Sequence, residues 1–363
     1  MTSTTPPRIL LTGATGYIGG TILANLLKSS SHTLSNATIT CLVRGPERVA
    51  TLSAAYGDRV RPVLYKDLDD LETTTAVAAQ HDLVIHTTLG YHAASAQALI
   101  RGLAQRKVTT GRDVWMIHTS GTSNLADQPI SGTWVEKVPE REFDDAKDDI
   151  YGYEQEREAQ TKNPQRSTEL AVIDAGLQLG VKTLVIMSPT IYGLGSGLFH
   201  RTSLQIPMYI VSVLTTGRAI VVNGGKGVWD HVHVEDVAEL YKIAVIEILE
   251  RGGKALPTGQ KGIIFSGNGR HTWMEVAQGV ADACYEEGKI KDGSINSVEL
   301  AEGAKILAAA MPMMNEHMVE MALCSNARTV ASVGKRLGWK PSRGAEAWSK
   351  GFRDDVKALV EKK

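Results

Sequence analysis

Short apolar runs alternate with segments of helical periodicity along the first half of the chain. This alternation is typical of βαβ units and a parallel sheet. The apolar runs predict strands over residues 8–12, 38–43, 61–65, 83–87, 114–119 and 183–187. Helical periodicity between them predicts helices over residues 17–27, 93–106 and 167–179. Because crossovers between parallel strands are right-handed, the predicted fold class is α/β with a doubly wound parallel sheet.

The pattern becomes more irregular beyond Pro189. Gly-rich loops surround a predicted strand over residues 219–222, predicted helices over 234–251 and 272–287, and a tail over 328–363 that is predicted to be helical. We therefore predict a first domain over residues 1–190, with some exchange of segments from later in the chain. A smaller α/β lobe with C-terminal helices, over residues 191–363, is predicted to bind the substrate.

Composition and charge exclude several classes of partner. The 363 residues contain 40 acidic and 39 basic side chains, so no overall field attracts nucleic acid or an anionic membrane. Cys41, Cys284 and Cys324 lie far apart, which indicates a reducing compartment. The first residues lack a signal-peptide pattern, and no apolar stretch is long enough to span a bilayer. We expect a cytoplasmic protein whose partner is a small molecule.

The strongest local motif follows the first predicted strand, where Gly13, Gly16 and Gly19 lead into a helix. Gly13 permits a tight turn, Gly16 lets backbone N–H groups approach a pyrophosphate, and Gly19 lets the helix pack on the strand. The motif predicts a Rossmann-type dinucleotide site, with Thr15, Tyr17 and Ile18 beside it. An ordinary strand–turn–helix corner is the alternative.

The end of the second strand indicates which dinucleotide binds. An acidic residue there would bond the ribose 2′-hydroxyl of NAD, but the strand ends in Arg44. A cation at this position suits a 2′-phosphate, so the expected cofactor is NADP(H). A solvated surface arginine is the alternative.

Taken together, the motifs resemble those of the extended short-chain dehydrogenases/reductases, an NAD-dependent epimerase/dehydratase-like group. Besides the glycine turn, residues 82–88, 188–193 and 229–238 resemble family motifs in the same order. The resemblance implies that residues 93–106 could form a homodimer interface. It also implies further cofactor contacts at Asp67, Leu68, Thr87, Thr88, Thr119, Pro189, Thr190 and Ile191.

The resemblance is weakest at the catalytic site, where the family uses Ser/Thr, Tyr and Lys. It implies a substrate-bonding hydroxyl at Ser120, or at Thr122 if Gly121 shifts the register. Either hydroxyl could instead cap the strand end.

The Tyr-x-x-x-Lys pair of the family is missing from its expected position. Counting back from Pro189 by the usual helix length places the lysine position at Arg166 and the tyrosine position at Lys162 or Asn163. Arg166 could still donate to ribose hydroxyls, because it is a permanent cation, or it could be a helix-surface arginine.

Another residue, or water, must then donate the proton. Tyr153 is a candidate, because the loop predicted over residues 120–164 passes over the catalytic edge, and Tyr151 is its rival. His231 is a second candidate, whereas His233 is expected to make a structural hydrogen bond. No grouping of His, Asp or Glu has the spacing of a metal site, so none is predicted.

These features favour an NADPH-dependent oxidoreductase that reduces a carbonyl, an imine or an activated double bond of a small, fairly apolar molecule. The missing tyrosine leaves an alternative open. The same fold and cofactor could serve a regulator that senses NADP(H), or a non-redox isomerase or cyclase.

Overall fold

The computed structural model describes residues 8–138 and 140–361. The strands are β1 (Ile9–Thr12), β2 (Ile39–Val43), β3 (Val60–Leu64), β4 (Leu83–His86), β5 (Trp115–Gly121), β6 (Glu142–Asp144), β7 (Lys182–Ser188), β8 (Thr190–Tyr192), β9 (Ala219–Val222), β10 (Val228–His233), β11 (Ile263–Phe265), β12 (Gly269–Thr272), β13 (Ile295–Val298) and β14 (Arg328–Val330). The α-helices are α1 (Tyr17–Leu27), α2 (His32–Ser35), α3 (Pro46–Tyr56), α4 (Leu71–Ala78), α5 (Ala93–Thr110), α6 (Ile150–Gln160), α7 (Pro164–Leu179), α8 (Gln205–Thr216), α9 (Val234–Arg251), α10 (Trp273–Glu286), α11 (Leu300–Ala310), α12 (Glu316–Leu323), α13 (Ser332–Arg336) and α14 (Ala345–Val360).

A seven-stranded parallel sheet forms the centre of the fold, in the order β3-β2-β1-β4-β5-β7-β11. Because β1 pairs with β2 on one side and with β4 on the other, the direction of winding reverses between β1 and β4. Nucleotides bind at such a reversal, outside the carboxyl ends of the strands. The predicted α/β class with a Rossmann-type sheet is confirmed.

Helices cover both faces of the sheet, because its central strands are apolar on both sides. All four residues of β1 are buried. On one face, Leu11 packs in the same apolar core as Ile22 of α1, and α9 lies against α1. On the other face, Leu10 shares a core with Leu99 of α5 and Val172 of α7.

The second half of the chain builds a smaller lobe and also returns to the central sheet. In the lobe, β8, β10 and β12 form one sheet, β9 pairs with β13, and β6 pairs with β14. A separate apolar core around Trp229 and Trp273 packs with helices α8, α10 and α14. By contrast, β11 extends the central sheet beside β7, and α9 covers α1.

Two segments differ from the sequence prediction. Residues 150–160 were expected in a loop but form α6, whose N-terminus is capped by Asp149 accepting a hydrogen bond from the Gly152 N–H. The buried side of α6 includes Tyr, Glu and Arg side chains, so the helix lacks an apolar period. Residues 328–330, expected in a helical tail, form β14 because they pair with the distant β6. No helix in the two described ranges is long and apolar enough to cross a membrane.

Candidate active site

The turn between β1 and α1 depends on two glycines. Gly13 has a φ of +75°, and a Cβ there would lie 2.6 Å from the Thr87 carbonyl oxygen. A Cβ on Gly19 would collide with the Gly13 carbonyl oxygen. The Thr87 hydroxyl closes the turn by donating to the Thr12 carbonyl oxygen at 2.7 Å. Strands β1 and β4 and helix α1 therefore approach too closely at this turn for side chains at Gly13 and Gly19.

The N-terminus of α1 is open to an anionic ligand. Gly16 is its N-cap, and among the residues that the structure describes no side chain caps this end and no acidic residue lies in the first turn. The Gly16 N–H donates to the Gly13 carbonyl at 2.8 Å, while Thr15, Tyr17 and Ile18 are half-buried around the turn. Unbonded N–H groups and the helix dipole attract phosphate oxygens. The turn therefore fits the pyrophosphate of a dinucleotide.

The glycine turn is tied to the segment that follows β7. The Tyr17 hydroxyl donates to the Gly193 carbonyl oxygen at 2.6 Å. Burial, followed by neighbouring acidic groups, raises the pKa of the Tyr17 phenol well above its ordinary value, so the phenol stays neutral. Pro189, Thr190 and Ile191 lie just before Gly193 on this segment, at the carboxyl end of β7.

Two arginines lie together where β2 ends. Arg44 is exposed directly after the strand, and Gly45, with a φ of +84°, turns the chain into α3. Arg48 lies in the first turn of α3, and the charges of both arginines act on the nearby Tyr65 hydroxyl. Arg48 is partly paired, because its Nε lies 3.7 Å from Glu47 Oε1, whereas Arg44 is exposed. No motif marks Arg48, although its spacing of four residues from Arg44 was a usable signal.

Polar groups also end β3 and β4. The Asp67 carboxylate accepts a hydrogen bond from the Asp69 N–H at 2.9 Å, and Leu68 packs against the core beside α5. The Thr88 hydroxyl lies 2.6 Å from Nε2 of His86. Asp67, Leu68, Thr87 and Thr88 therefore lie just beyond the carboxyl ends of β3 and β4, and their contacts with a cofactor stay a prediction.

A pair of buried histidines lies behind this edge. Nδ1 of His86 is 2.8 Å from Nδ1 of His118, and the two rings stack. Burial lowers the pKa of both side chains, that of His118 to about 4, so both are neutral at pH 7. A neutral pair shares one N–H between the facing nitrogens. Neither residue belongs to a motif, because each occupies an ordinary strand position in the sequence.

The hydroxyls at the end of β5 point in different directions. The Thr119 hydroxyl lies 2.5 Å from the Tyr241 hydroxyl on α9. Ser120, on the opposite face, accepts a hydrogen bond from Asn124 Nδ2 at 3.3 Å. Thr122 begins a 3₁₀ turn and is fully buried, and within the described ranges its hydroxyl has no hydrogen-bond partner. Ser120 is therefore the hydroxyl that belongs to a polar network.

Arg166 lies in the first turn of α7, where its guanidinium bonds protein acceptors. It forms an ion pair with Glu158 at 3.0 Å and donates to the carbonyl oxygens of Asn124 at 3.1 Å and Thr161 at 2.5 Å. The side chain is 3% exposed. A contact with ribose would require some of these bonds to change, so that role stays a prediction. Lys162 is exposed, and no tyrosine occupies this part of the chain.

Tyr153 lies on α6 inside an aromatic cluster. Its hydroxyl donates to the Glu136 carboxylate and accepts a hydrogen bond from Trp134 Nε1 at 3.1 Å. Its ring packs 4.7 Å from that of Phe143. Burial raises the pKa of this phenol. The rival Tyr151 donates to Asp174 at 2.5 Å. The structure thus gives each tyrosine a carboxylate partner of its own.

His231 is packed in the second lobe. Its Nδ1 lies 3.1 Å from Nδ1 of His271, and its ring stacks on Trp348 at 3.9 Å between centroids. Burial lowers its pKa to about 4. His233 caps α9 by accepting a hydrogen bond from the Glu235 N–H. The contacts of His231 therefore lie with the aromatic groups of the lobe and not with Ser120.

Two glutamates that no motif marks lie behind Ser120. Glu154 of α6 and Glu169 of α7 are both 0% exposed, and Asn124 Nδ2 bonds Glu169 Oε2 at 2.9 Å. A concave surface opens beside this network and has both apolar and cationic walls. It is lined by Ser123, Trp134, Arg157, Lys162, Arg166 and Met321, among others. The described ranges contain no group of three or more His, Cys, Asp or Glu placed to hold a metal ion.

Comparison with known proteins gives consistent matches. Residues 9–254 match the model of the NAD dependent epimerase/dehydratase family. Oxidase ucsJ from Acremonium sp is 30% identical over 92% of both chains, and an uncharacterized protein from Schizosaccharomyces pombe is 28% identical over 66% of this chain and 70% of its own. Among solved structures, the dTDP-glucose 4,6-dehydratase DesIV from Streptomyces venezuelae with NAD and TYD bound is similar at a TM-score of 0.63 and 15% identity, covering 98% of this chain and 97% of that one. PbgP3 from Burkholderia pseudomallei gives a TM-score of 0.65 at 12% identity, over 99% and 98% of the two chains.

Proposed function

Because the chain belongs to the NAD dependent epimerase/dehydratase family, we propose that it is an NADP(H)-dependent oxidoreductase. The substrate would be a small, fairly apolar molecule whose carbonyl, imine or activated double bond is reduced. The observation that carries the proposal is that three features lie at one edge of the sheet. They are a glycine turn with an open helix N-terminus, the arginines Arg44 after β2 and Arg48 on α3, and the Ser120 network. The Acremonium relative is named an oxidase, which supports redox chemistry.

Each part of this edge has a separate task. The N–H groups of Thr15, Tyr17 and Ile18 would hold the pyrophosphate, and Arg44 and Arg48 would hold the ribose 2′-phosphate. When bound, NADPH supplies the hydride.

The Ser120 hydroxyl would bond the heteroatom of the acceptor and polarise it. On the concave surface, Trp134 and Met321 would contact the apolar part of the substrate, while Arg157 and Lys162 would attract a polar or anionic end.

We also propose that the protein works in the cytoplasm. Cys41, Cys284 and Cys324 are buried, unpaired thiols. Burial raises the pKa of each, which keeps them unreactive in a reducing compartment.

Titration with NADPH and with NADH tests the choice of cofactor, with binding followed by nicotinamide fluorescence. Arg44→Ala and Arg48→Ala should each weaken NADPH binding by about tenfold or more and leave NADH binding unchanged, because each removes a charge-assisted bond to the 2′-phosphate. Arg101→Ala, which removes an exposed cation on α5, is the control and should change neither affinity. Equal losses for NADPH and NADH in the Arg44 variant would contradict the assignment.

Turnover separates the oxidoreductase from its alternative. We expect the NADPH-loaded protein to consume the cofactor with at least one compound from a panel of aldehydes, ketones, cyclic imines and enones. Tight NADPH binding without consumption across the panel would favour a sensor or a non-redox enzyme. That alternative rests on the absence of a tyrosine at the family's position, which is Lys162 or Asn163 here, and on the bonded guanidinium of Arg166.

A further inference from the structure

A pair of acidic side chains is buried where the proposed reaction needs a proton. Glu154 and Glu169, here called the carboxyl pair, come from two consecutive helices and meet behind the end of β5. Both are 0% exposed, whereas Ser120 in front of them is 5% exposed. A buried carboxyl group is costly unless it is paired or protonated, so this arrangement requires a physical explanation.

One amide connects Glu169 of the carboxyl pair to Ser120. Asn124 Nδ2 lies 2.9 Å from Glu169 Oε2 and 3.3 Å from Ser120 Oγ, so one amide holds the serine and the glutamate side by side. Burial raises the pKa of Glu169 to about 7, although bonds from Ser120, Glu154 and Asn124 and the charge of Arg166 oppose this rise. Glu169 is therefore held beside Ser120 by a shared amide, and Glu154 lies close enough for its charge to interact with that of Glu169.

The surrounding charges do not neutralise two carboxylates. The charge of Arg166 acts on both glutamates, but its Nε bonds Glu158 at 3.0 Å. Arg157 donates to the Asn124 carbonyl oxygen at 3.1 Å. Within the described ranges, no donor meets hydrogen-bond geometry at either carboxyl oxygen of Glu154. Two adjacent ionised glutamates would repel each other without a counter-ion.

The pair must therefore hold at least one proton, and geometry favours Glu154 as its holder, because Asn124 donates to Glu169 whereas no donor in the described ranges reaches Glu154. Burial and the charge of Glu169 raise the pKa of Glu154 well above its ordinary value. A neutral Glu154 can donate to Glu169, which leaves Glu169 as the group that gains or loses a second proton near neutral pH.

We propose that the carboxyl pair supplies, through Ser120, the proton that the missing tyrosine would otherwise donate. During reduction, the Ser120 O–H bond breaks as its proton moves to the substrate heteroatom, and the Glu169 O–H bond breaks to re-form the serine hydroxyl. Glu154 keeps its proton and stabilises the Glu169 carboxylate, which later takes a proton from water. Both glutamates act through Ser120 and position its proton without touching the substrate. This inference rests on the proposed oxidoreductase function.

Infrared difference spectroscopy on the cofactor-free protein tests the protonation of the pair without any turnover. The wild type should show a protonated-carboxyl band that disappears as the pH rises through about 7, and Glu169→Gln should remove that band. Glu154→Gln should remove a band that persists to higher pH. Asp174→Asn, the same chemical change five residues further along α7, is the control and should remove neither. Absence of the Glu169 band below pH 7 would overturn the inference.

The pH profile of kcat at saturating NADPH tests the relay, using the carbonyl compound of the panel that turns over fastest. Wild-type kcat should fall as the pH rises through about 7, because the donating form of Glu169 is lost. Glu169→Gln should lower kcat by about 100-fold and remove this pH dependence. Glu154→Gln should retain most activity, because its amide N–H can replace the carboxyl donor, whereas Glu154→Ala should not.

The possible failures are distinguishable. If the wild type reduces the compound but Glu169→Gln keeps the wild-type pH profile, the relay is wrong and the proposed function stands. If the wild type binds NADPH and reduces nothing, the proposed function fails and the relay fails with it. Asp174→Asn should keep the wild-type kcat and profile in either case.

Discussion

Replacement of Arg166 by methionine separates a structural role from a ribose-binding role. Its guanidinium is 3% exposed and pairs with Glu158, which is 16% exposed, at 3.0 Å. Removing one partner of a buried pair costs about 3–5 kcal/mol, because the remaining charge stays buried. Glu158 would keep bonds from the Asn163 N–H at 3.1 Å and from the Ser167 hydroxyl. We therefore expect a loss near the lower end, about 3 kcal/mol in the free energy of unfolding.

Urea unfolding followed by tryptophan fluorescence measures this loss. Lys162→Met removes an exposed cation four residues earlier and should change the unfolding free energy by less than about 0.5 kcal/mol. The double variant Arg166→Met with Glu158→Gln should recover part of the loss, because it no longer leaves an unpaired charge. Wild-type stability together with weaker NADPH binding in Arg166→Met would refute the structural role and support the contact with ribose.

Three further predictions concern single side chains. Gly19→Ala should weaken NADPH binding and lower the melting temperature, because the added Cβ would collide with the Gly13 carbonyl oxygen. Gly90→Ala is the control and should change neither quantity, because the nearest atom to its added Cβ would lie 3.7 Å away. Equal effects of the two substitutions would argue against a tight turn at Gly19. Tyr153→Phe should lower the free energy of unfolding by about 1 kcal/mol, because it removes the hydrogen bond from the Tyr153 hydroxyl to Glu136, and it should leave kcat unchanged. A large fall in kcat at unchanged NADPH affinity would instead make Tyr153 the proton donor. The pKa of His118 is about 4 when folded, below its value when unfolded, so its contribution to stability is lost as the pH falls from about 6.5 to 4. Between about pH 6.5 and pH 4, the free energy of unfolding should therefore fall by roughly 3 kcal/mol less in His118→Asn than in the wild type. Urea unfolding at each pH measures this fall, and equal falls in the two proteins would contradict the prediction.

Local sequence patterns predicted the bounds of several elements well. The bounds of α1 were predicted as the structure has them, because Gly13 and Gly16 end the strand and an apolar period of 3.6 continues to Leu27. The predicted bounds of β9 and α9 also match the structure, because each element has a clear hydrophobic pattern in its own sequence. Such elements need no knowledge of distant partners.

The polar half could not be predicted in the same way. Helix α6 buries Tyr153, Glu154 and Arg157, so its inner side resembles a solvated surface in the sequence. Glu154 and Glu169 meet only because α6 and α7 pack together behind β5. The pairing of β14 with β6 likewise joins residues far apart in the chain. Contacts of this kind depend on tertiary packing, and the local periodicity of hydrophobic residues does not predict them.

Strand β11 comes late in the chain, which affects how the protein folds during synthesis and where it can be truncated. Residues 263–265 form the strand that covers β7, and residues 234–251 form the helix that covers α1. When a nascent chain has emerged from the ribosome only as far as residue 190, the edge of β7 is unpaired and the apolar face of α1 is uncovered. The nucleotide half can therefore mature only after the chain beyond residue 265 has emerged, and a fragment ending at residue 190 is expected to aggregate when expressed alone. Any shortened version for laboratory use should keep both later segments.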